Sequence, residues 1–131
     1  MENKLAIQPE LVRDFVGNAH GDLDRVKELL LQEPGLVNAA WDWGGGDWET
    51  AIGAAAHMGR RDIAQFLIEN GARLDLFAAA MLGKIDIVRA MLADNANLVN
   101  ARGAHGIPLV VHAQQGGEEA AQVLDLLNEY L

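Results

Sequence analysis

The chain contains no cysteine, only three prolines, and aromatic residues at just 5% of its 131 positions. Without cysteine it can form no disulfide bond, no thiolate nucleophile and no cysteine-ligated metal site. Any catalysis would therefore rest on histidine, carboxylate, hydroxyl or lysine side chains. The absence of cysteine also fits a reducing compartment, and we expect the protein to be cytoplasmic.

Basic residues and long apolar runs are scarce as well. Ten Lys and Arg stand against 19 Asp and Glu, for a net charge of −9. Because phosphate binding needs clustered basic side chains, we expect no nucleic-acid partner. The sequence has no run of about 18 apolar residues and no secretory pattern at its start, so we expect no membrane association. Half of the residues are hydrophobic, which is enough for a single domain over residues 1–131.

The tryptophans and a run of glycines are concentrated in one stretch, "WDWGGGDWET", from Trp41 to Thr50. A run of glycines cannot hold a helix, because glycine loses more backbone entropy on folding than any other residue. Each indole needs an apolar surface to pack against. The stretch is therefore predicted to be a loop that folds against the rest of the chain.

A short motif, Gly-x-x-Asp, begins at Gly21, Gly59 and Gly83, and a looser copy that ends in Glu begins at Gly116. Glycine ends a helix by taking the left-handed conformation, and an acidic residue three positions later can accept backbone N–H groups at the start of the next helix. The acidic residues of the four copies are Asp24, Asp62, Asp86 and Glu119. The motif predicts four helix-turn-helix units.

The spacing of these units is uneven. The short sequence "LVNA" begins at Leu36 and again at Leu98, the same distance apart as Gly21 and Gly83. The first connection has therefore gained residues, namely the tryptophan and glycine stretch, and the second has lost some. Residues 73–75 are too few to form a hairpin, and we expect Asp75 to cap the following helix directly. We also expect Thr50 to cap the helix that begins after it.

The segment "TAIGAAAHMGRRDIAQFLIENGARLD", Thr50 to Asp75, resembles the ankyrin repeat. Its matching positions are Thr50, Ile52, Ala55, Ala56, Gly59, Ile63, Leu67, Ile68, Gly71 and Ala72. Ala51 and Gly53 depart from the Pro and His of the pattern. The chain as a whole is similar to small bacterial ankyrin-repeat proteins. The resemblance implies an all-α solenoid of four helix pairs, at residues 11–40, 41–74, 75–100 and 101–131. The third repeat would lack its β-hairpin finger, and a long finger would precede the second.

The resemblance also implies a function. In ankyrin proteins the finger tips and the exposed ends of the inner helices contact partners, and His20 lies at one such end. We therefore expect a non-enzymatic protein-binding module that uses the concave groove and needs no cofactor. The residues expected to contact the partner are Trp43, Asp47, Trp48, Glu49, His57, Met58, Met81, His105 and His112.

The alternative is a small-molecule or metal-binding pocket beneath the long finger. Such a pocket could also be a catalytic site. His57, His105 and His112 would meet Asp47 and Glu49 there, with a tryptophan as an apolar wall. Histidine and carboxylate together can ligate a metal or transfer protons. The sequence has no local motif such as H-E-x-x-H, so we assign no metal ligand and no catalytic residue.

Three structural interpretations stay open beside these functional ones. The histidines could be helix-end, loop and buried residues without a shared role, and the tryptophans could form a local core. Self-association through the acidic C-terminal end or the first helix is also open.

Overall fold

The computed structural model of the chain describes residues 4–131, which are mostly helical. In this part of the chain eight α-helices follow one another in four consecutive pairs. A short turn joins the two helices of each of the first three pairs, and a 3-10 helix joins those of the fourth. The helices are α1 (Pro9–Asn18), α2 (Leu23–Gln32), α3 (Ala51–His57), α4 (Arg61–Glu69), α5 (Leu76–Leu82), α6 (Ile85–Asp94), α7 (Leu109–Gln115) and α8 (Ala121–Tyr130). Short 3-10 helices occupy Pro34–Asn38, Ala96–Asn100, Ala104–Gly106 and Gly117–Ala120. None of the helices in residues 4–131 is long and apolar enough to cross a membrane.

The two members of each pair have different compositions because they pack differently. The first members, α3 and α5, are rich in alanine and almost entirely buried, since small side chains let neighbouring helices approach closely. The second members, such as α4, are amphipathic and bury one face, here Ile63, Ala64 and Leu67. The first members form the inner layer of the stack, and the second members form the outer layer.

Two predicted helix caps are confirmed. The Thr50 hydroxyl accepts the N–H of Gly53 at 3.0 Å at the start of α3. The Asp75 carboxylate accepts the N–H of Ala78 at 2.8 Å at the start of α5. Each side chain satisfies a backbone donor that has no partner within its helix.

The prediction that the motif aspartates accept backbone N–H groups is confirmed at Asp62, which accepts the N–H of Ile63 at 2.9 Å, but these aspartates are not the N-caps of their helices. Asp22, and not Asp24, caps α2 by accepting the N–H of Arg25 at 3.1 Å. Asp24, Asp62 and Asp86 instead occupy the second position of their helices. A negative charge at this position still stabilises the helix, because it lies at the positive end of the helix dipole.

The predicted left-handed turns are confirmed at Gly59 and Gly83, with φ of 67° and 76°. Gly21 does not take this conformation, and in the fourth pair it is Gly117, with φ of 62°, that does so. Gly116, with φ of −73°, is needed for a different reason. A Cβ atom there would lie 2.2 Å from the carbonyl oxygen of Met81, so only glycine allows this contact between neighbouring turns.

The tryptophan and glycine stretch forms a β-hairpin. Strand β1 (Ala40–Asp42) pairs antiparallel with β2 (Trp48–Thr50), so that Trp41 lies opposite Glu49. The turn is held by the Asp42 carboxylate, which accepts the N–H groups of Gly44 at 2.8 Å and Gly46 at 3.0 Å. Gly44, Gly45 and Gly46 all have positive φ, which explains why three glycines occur in a row.

The connections and the packing bring distant pairs together. Residues 70–75 join α4 to α5 without a strand. Helix α7 packs against both α5 and α3, so the fourth pair contacts the second pair as well as the third. An ion pair of 3.0 Å between Arg61 and Glu119 joins the second and fourth helix pairs near the turns within each pair. These contacts therefore reduce the width of the groove on the inner side of the stack.

The core consists of two clusters that share α5. The first cluster includes Phe15, Leu29, Ile63 and Leu67, and it receives Ala78, Met81 and Leu82 from α5. The second includes Val88, Leu92, Leu109, Val123 and Leu127, and it receives Leu76, Ala79 and Ala80 from the same helix. Because α5 contributes to both, the two halves of the chain are packed into one unit.

Candidate functional site

The carboxylate of Glu49 is the centre of the candidate site. Glu49 lies in β2, next to the residue that caps α3, and only 2% of its surface is exposed. A buried carboxylate is unfavourable unless its oxygens are hydrogen-bonded or paired with charge. One partner is Trp43, whose indole Nε1 donates to Oε1 of Glu49 at 2.9 Å. The two residues are held across the hairpin by this bond.

Three histidines direct their Nε2 atoms at the same carboxylate. The Nε2 atom of His20 lies 3.1 Å from Oε1 of Glu49. The Nε2 atoms of His57 and His105 lie 2.9 Å and 3.2 Å from Oε2. His20 follows α1, His57 ends α3, and His105 lies in the 3-10 turn before α7. We call His20, Glu49, His57 and His105 the Glu49 cluster.

The outer nitrogens of two of these rings are also bonded, which sets the orientation of each ring. Nδ1 of His20 lies 3.1 Å from the carbonyl oxygen of Val16 and 2.9 Å from that of Gly17. Nδ1 of His105 lies 2.7 Å from the Asp47 carboxylate. In both cases the Nε2 atom is left to face Glu49.

His105 is held in a conformation that non-glycine residues rarely adopt, with φ of 60°. This left-handed conformation costs roughly 1 kcal/mol for a residue with a side chain. Asp47 offsets that cost because its carboxylate binds both the backbone N–H of His105, at 2.7 Å, and the ring. The hairpin before α3 is thereby tied to the turn before α7.

The electrostatics of the site follow from these contacts. Burial by itself would raise the pKa of Glu49, but the hydrogen bonds with His20, His57 and Trp43 outweigh it and lower the pKa to about 2. The hydrogen bond to Glu49 raises the pKa of His20 in spite of its partial burial. The backbone N–H of His105 lowers the pKa of Asp47. Both carboxylates are therefore ionised at neutral pH.

The rings of the cluster are packed against one another. The ring centroids of His20 and His57 are 5.0 Å apart, and those of His57 and His105 are 5.3 Å apart. The indole of Trp43 lies 6.2 Å from His20 and 6.3 Å from His105. The arrangement is compact, and the imidazoles share one environment.

The structure brings together most of the residues that the alternative interpretation grouped, namely Asp47, Glu49, His57 and His105, with Trp43 beside them. His20 was expected at an exposed helix end but not in this set. A signal for it exists in the sequence, because Ala-His precedes the turn glycine in both of the first two helix pairs. That repeated dipeptide places one imidazole near the end of each of two neighbouring inner helices, two residues beyond α1 for His20 and at the last residue of α3 for His57.

His112, the third histidine of that group, is not in the cluster. Its side chain is 1% exposed, its Nδ1 lies 2.9 Å from the carbonyl oxygen of Pro108, and its ring packs on Phe77 with centroids 4.8 Å apart. Burial lowers the pKa of this ring. Its ring lies between Phe77 of α5 and Gly103, and its Nδ1 is bonded to the backbone, so it is not among the ligands of the Glu49 carboxylate.

Met81 also differs from the expectation, because a residue proposed to contact a partner has 0% of its surface exposed. The turn after α7 lies over the end of α5 and covers it. The hairpin tryptophans differ among themselves: Trp41 is half-buried, Trp43 is partly exposed and bonded to Glu49, and Trp48 is 63% exposed. Met58 is exposed, as expected.

Two cavities of the structure are not lined by residues of the Glu49 cluster. One of about 540 Å³ lies between α2 and α4 and is lined by Lys27, Leu30, Leu31, Pro34, Phe66 and Asn70. Another, of about 430 Å³, lies beside Trp43 against α1. Glu49 and the three histidines line neither, since they contact one another directly. The structure does not support the small-molecule pocket expected beneath the hairpin.

Residues 47–76, which include Glu49, His57 and the pair α3 and α4, match the family model for the Ankyrin repeat. The match confirms the ankyrin-repeat resemblance over these residues. No curated protein matches the chain. Ankyrin repeats are protein-interaction modules, which supports a protein-binding role.

Proposed function

We propose that the protein is a non-enzymatic binding module that contacts another protein through its β-hairpin and the concave side that the hairpin borders. The observation that carries the proposal is the exposed indole of Trp48 on an ordered hairpin of an ankyrin-related chain. Tryptophan is enriched among the residues that dominate binding energy at protein interfaces. An indole with 63% of its surface in water supplies apolar area for a partner to bury.

The hairpin is held in place before any partner binds. Trp43 is bonded to Glu49 at its base, and Asp47 is bonded to His105 in a distant turn. A rigid surface loses little conformational entropy on association, so more of the contact energy is available for affinity. These bonds support the hairpin as the recognition element.

We propose further that the four helix pairs are four repeats, at residues 11–40, 41–74, 75–100 and 101–131. In this assignment the third repeat lacks a finger, because residues 70–75 form no strand. The hairpin of the second repeat then crosses the position of the missing finger. Its contact with His105 supports this assignment.

The first test is a pull-down with the purified protein as bait, comparing wild type, Trp48→Ala and Leu31→Ala. Leu31 is the matched control, since it is a large apolar residue on α2 with 85% of its surface exposed. We expect wild type and Leu31→Ala to capture the same partner, and Trp48→Ala to lose it. Circular dichroism should show the same helical signal in all three proteins.

For a partner captured in this way, calorimetric titration measures the loss of affinity. Removing a central tryptophan is expected to cost at least about 2 kcal/mol, or roughly 30-fold in Kd. Equal affinity of wild type and Trp48→Ala would show that the hairpin is not the contact surface.

A further inference from the structure

We propose that the Glu49 cluster binds one divalent transition-metal ion, with zinc as the best fit. One ligand atom from each of its four residues can be chosen so that all four lie within 4.8 Å of one another. The set consists of three imidazole nitrogens and one carboxylate oxygen. A single ion needs only such convergent ligands, so the absence of a wider pocket at the cluster is no obstacle.

The donor atoms select the class of metal. Imidazole nitrogen suits zinc and its neighbours in the transition series, whereas calcium and magnesium prefer oxygen ligands throughout. Zinc bonds of about 2.0–2.2 Å place tetrahedral ligand atoms roughly 3.3 Å apart. Oε2 of Glu49 lies 2.9 Å from Nε2 of His57 and 3.2 Å from Nε2 of His105, close to that value, whereas Nε2 of His20 lies 3.1 Å from the other oxygen, Oε1. The full set of four ligand atoms lies within 4.8 Å, so the rings would move closer together around a bound ion.

The outer contacts of the rings are those of metal-ligating histidines. Such histidines usually bond their second nitrogen to a backbone carbonyl or a carboxylate, which fixes the ring and makes it a better ligand. His20 has backbone carbonyls at Nδ1, and His105 has the Asp47 carboxylate. Two of the three imidazoles are thus oriented by independent contacts.

Because of these contacts, imidazole nitrogens that can only accept a hydrogen bond would face carboxylate oxygens, which are also acceptors. A neutral imidazole carries one N–H, and its other nitrogen is a lone pair. If Nδ1 of His20 and of His105 hold the proton for their oxygen partners, both Nε2 lone pairs face the oxygens of Glu49. Something positive has to lie between them, either an additional proton on each ring or one shared cation.

Local charge favours the shared cation. With an additional proton on each, the rings of His20 and His105 would both be positively charged at a centroid separation of 6.2 Å, with the ring of His57 5.0 Å and 5.3 Å from them, and the two charges would repel one another. With neutral rings, Glu49 and Asp47 carry a charge of about −2, which one divalent ion neutralises. A bound ion would therefore remove both the repulsion between protonated rings and the unfavourable contact between the Nε2 lone pairs and the carboxylate oxygens.

A metal here would go beyond the binding role proposed above. Its ligands come from the end of α1, the base of the hairpin, the end of α3 and the turn before α7. Four protein ligands leave no open coordination position, as in structural zinc sites. The ion would link the hairpin to three other segments and so stabilise it.

The test uses untagged full-length protein that has been stripped with a chelator and then titrated with Zn²⁺ by calorimetry. We expect one ion per chain, with a Kd of about 1 µM or tighter. Titration with Co²⁺ should give the visible absorption of a tetrahedral ion. His57→Gln and His105→Gln should each weaken binding at least about 10-fold.

His112→Gln is the matched control, because it removes a histidine that lies outside the cluster. It should leave the Kd and the cobalt spectrum unchanged. His105 is partly exposed, so its variant is expected to fold even if a variant of buried Glu49 does not, and circular dichroism checks this. No binding, or binding that is equally strong in the cluster variants, would overturn the proposal.

Discussion

At the scale of single residues, the four histidines of the chain divide by what their ring nitrogens meet. Three turn Nε2 toward one buried carboxylate, and His112 packs its ring on Phe77. The pKa of His20 is raised and that of His112 is lowered. Residues of one type thus respond to acid in opposite directions within the same domain.

We expect His112 to make the fold less stable in mild acid. Its folded-state pKa lies below the ordinary value of 6.5, because burial disfavours the charged ring. As pH falls below 6.5 the unfolded chain takes up the proton first, so stability is complete above that pH and declines toward the folded-state pKa. The decline is at most about 1.4 kcal/mol per pH unit.

Urea unfolding of wild type and His112→Gln, each with a chelator, at about pH 7.5 and about pH 5.5 measures this effect. His20 contributes with the opposite sign in both proteins, so the difference between them isolates His112. We expect His112→Gln to lose less stability than wild type across this range. An equal loss in both proteins would contradict the assignment.

At the scale of elements, the turns between paired helices carry constraints of two kinds. Gly83 has a left-handed backbone and also lies against a neighbouring turn, where a Cβ atom would be 2.0 Å from the carbonyl oxygen of Glu119. Gly71 is left-handed too, with φ of 98°, but a Cβ atom there meets nothing within 4 Å. Substitutions at the two positions therefore distinguish the energetic cost of the left-handed backbone from the cost of a steric clash with a neighbouring turn.

We therefore expect Gly83→Ala to destabilise the domain more than Gly71→Ala. Gly71→Ala should cost about 1 kcal/mol, from the conformation alone. Gly83→Ala should cost at least about 3 kcal/mol, since the backbones of two turns must also separate. Thermal or urea unfolding of both variants measures the costs, and similar losses would show that the turns are not in close contact.

At the scale of the whole molecule, the structure is more closed than a linear stack. Helix α5 belongs to both core clusters, and α7 reaches back to α3. A hydrogen bond between Asp47 in the hairpin and His105 in the turn before α7 also links the second helix pair to the fourth. Contacts between helix pairs that are distant in the sequence should make unfolding of this short chain cooperative.

All three tryptophans lie in the hairpin region, so their fluorescence reports on that region while far-UV circular dichroism reports on the helices. We expect the two signals to change at the same urea concentration, as in a two-state transition. A fluorescence change at lower urea would show that the hairpin opens separately from the stack.

The features that depend on local backbone chemistry could be predicted from the sequence. The caps Thr50 and Asp75, the left-handed glycines Gly59 and Gly83 and the ankyrin resemblance of residues 50–75 were all predictable. Each follows from residues within a few positions of one another. The amphipathic spacing of α4 likewise depends on residues that are close together in the sequence.

Which side chains contact one another became known from the tertiary structure alone. It placed His20 with Glu49, His57 and His105, and it separated His112 from them. It also buried Met81, which the repeat pattern placed on a contact surface. These outcomes depend on how far the fourth helix pair folds back onto the second. That distance is set by packing between residues far apart in the chain, where a shift of a few ångströms makes or breaks a contact, and no local pattern in the sequence specifies it.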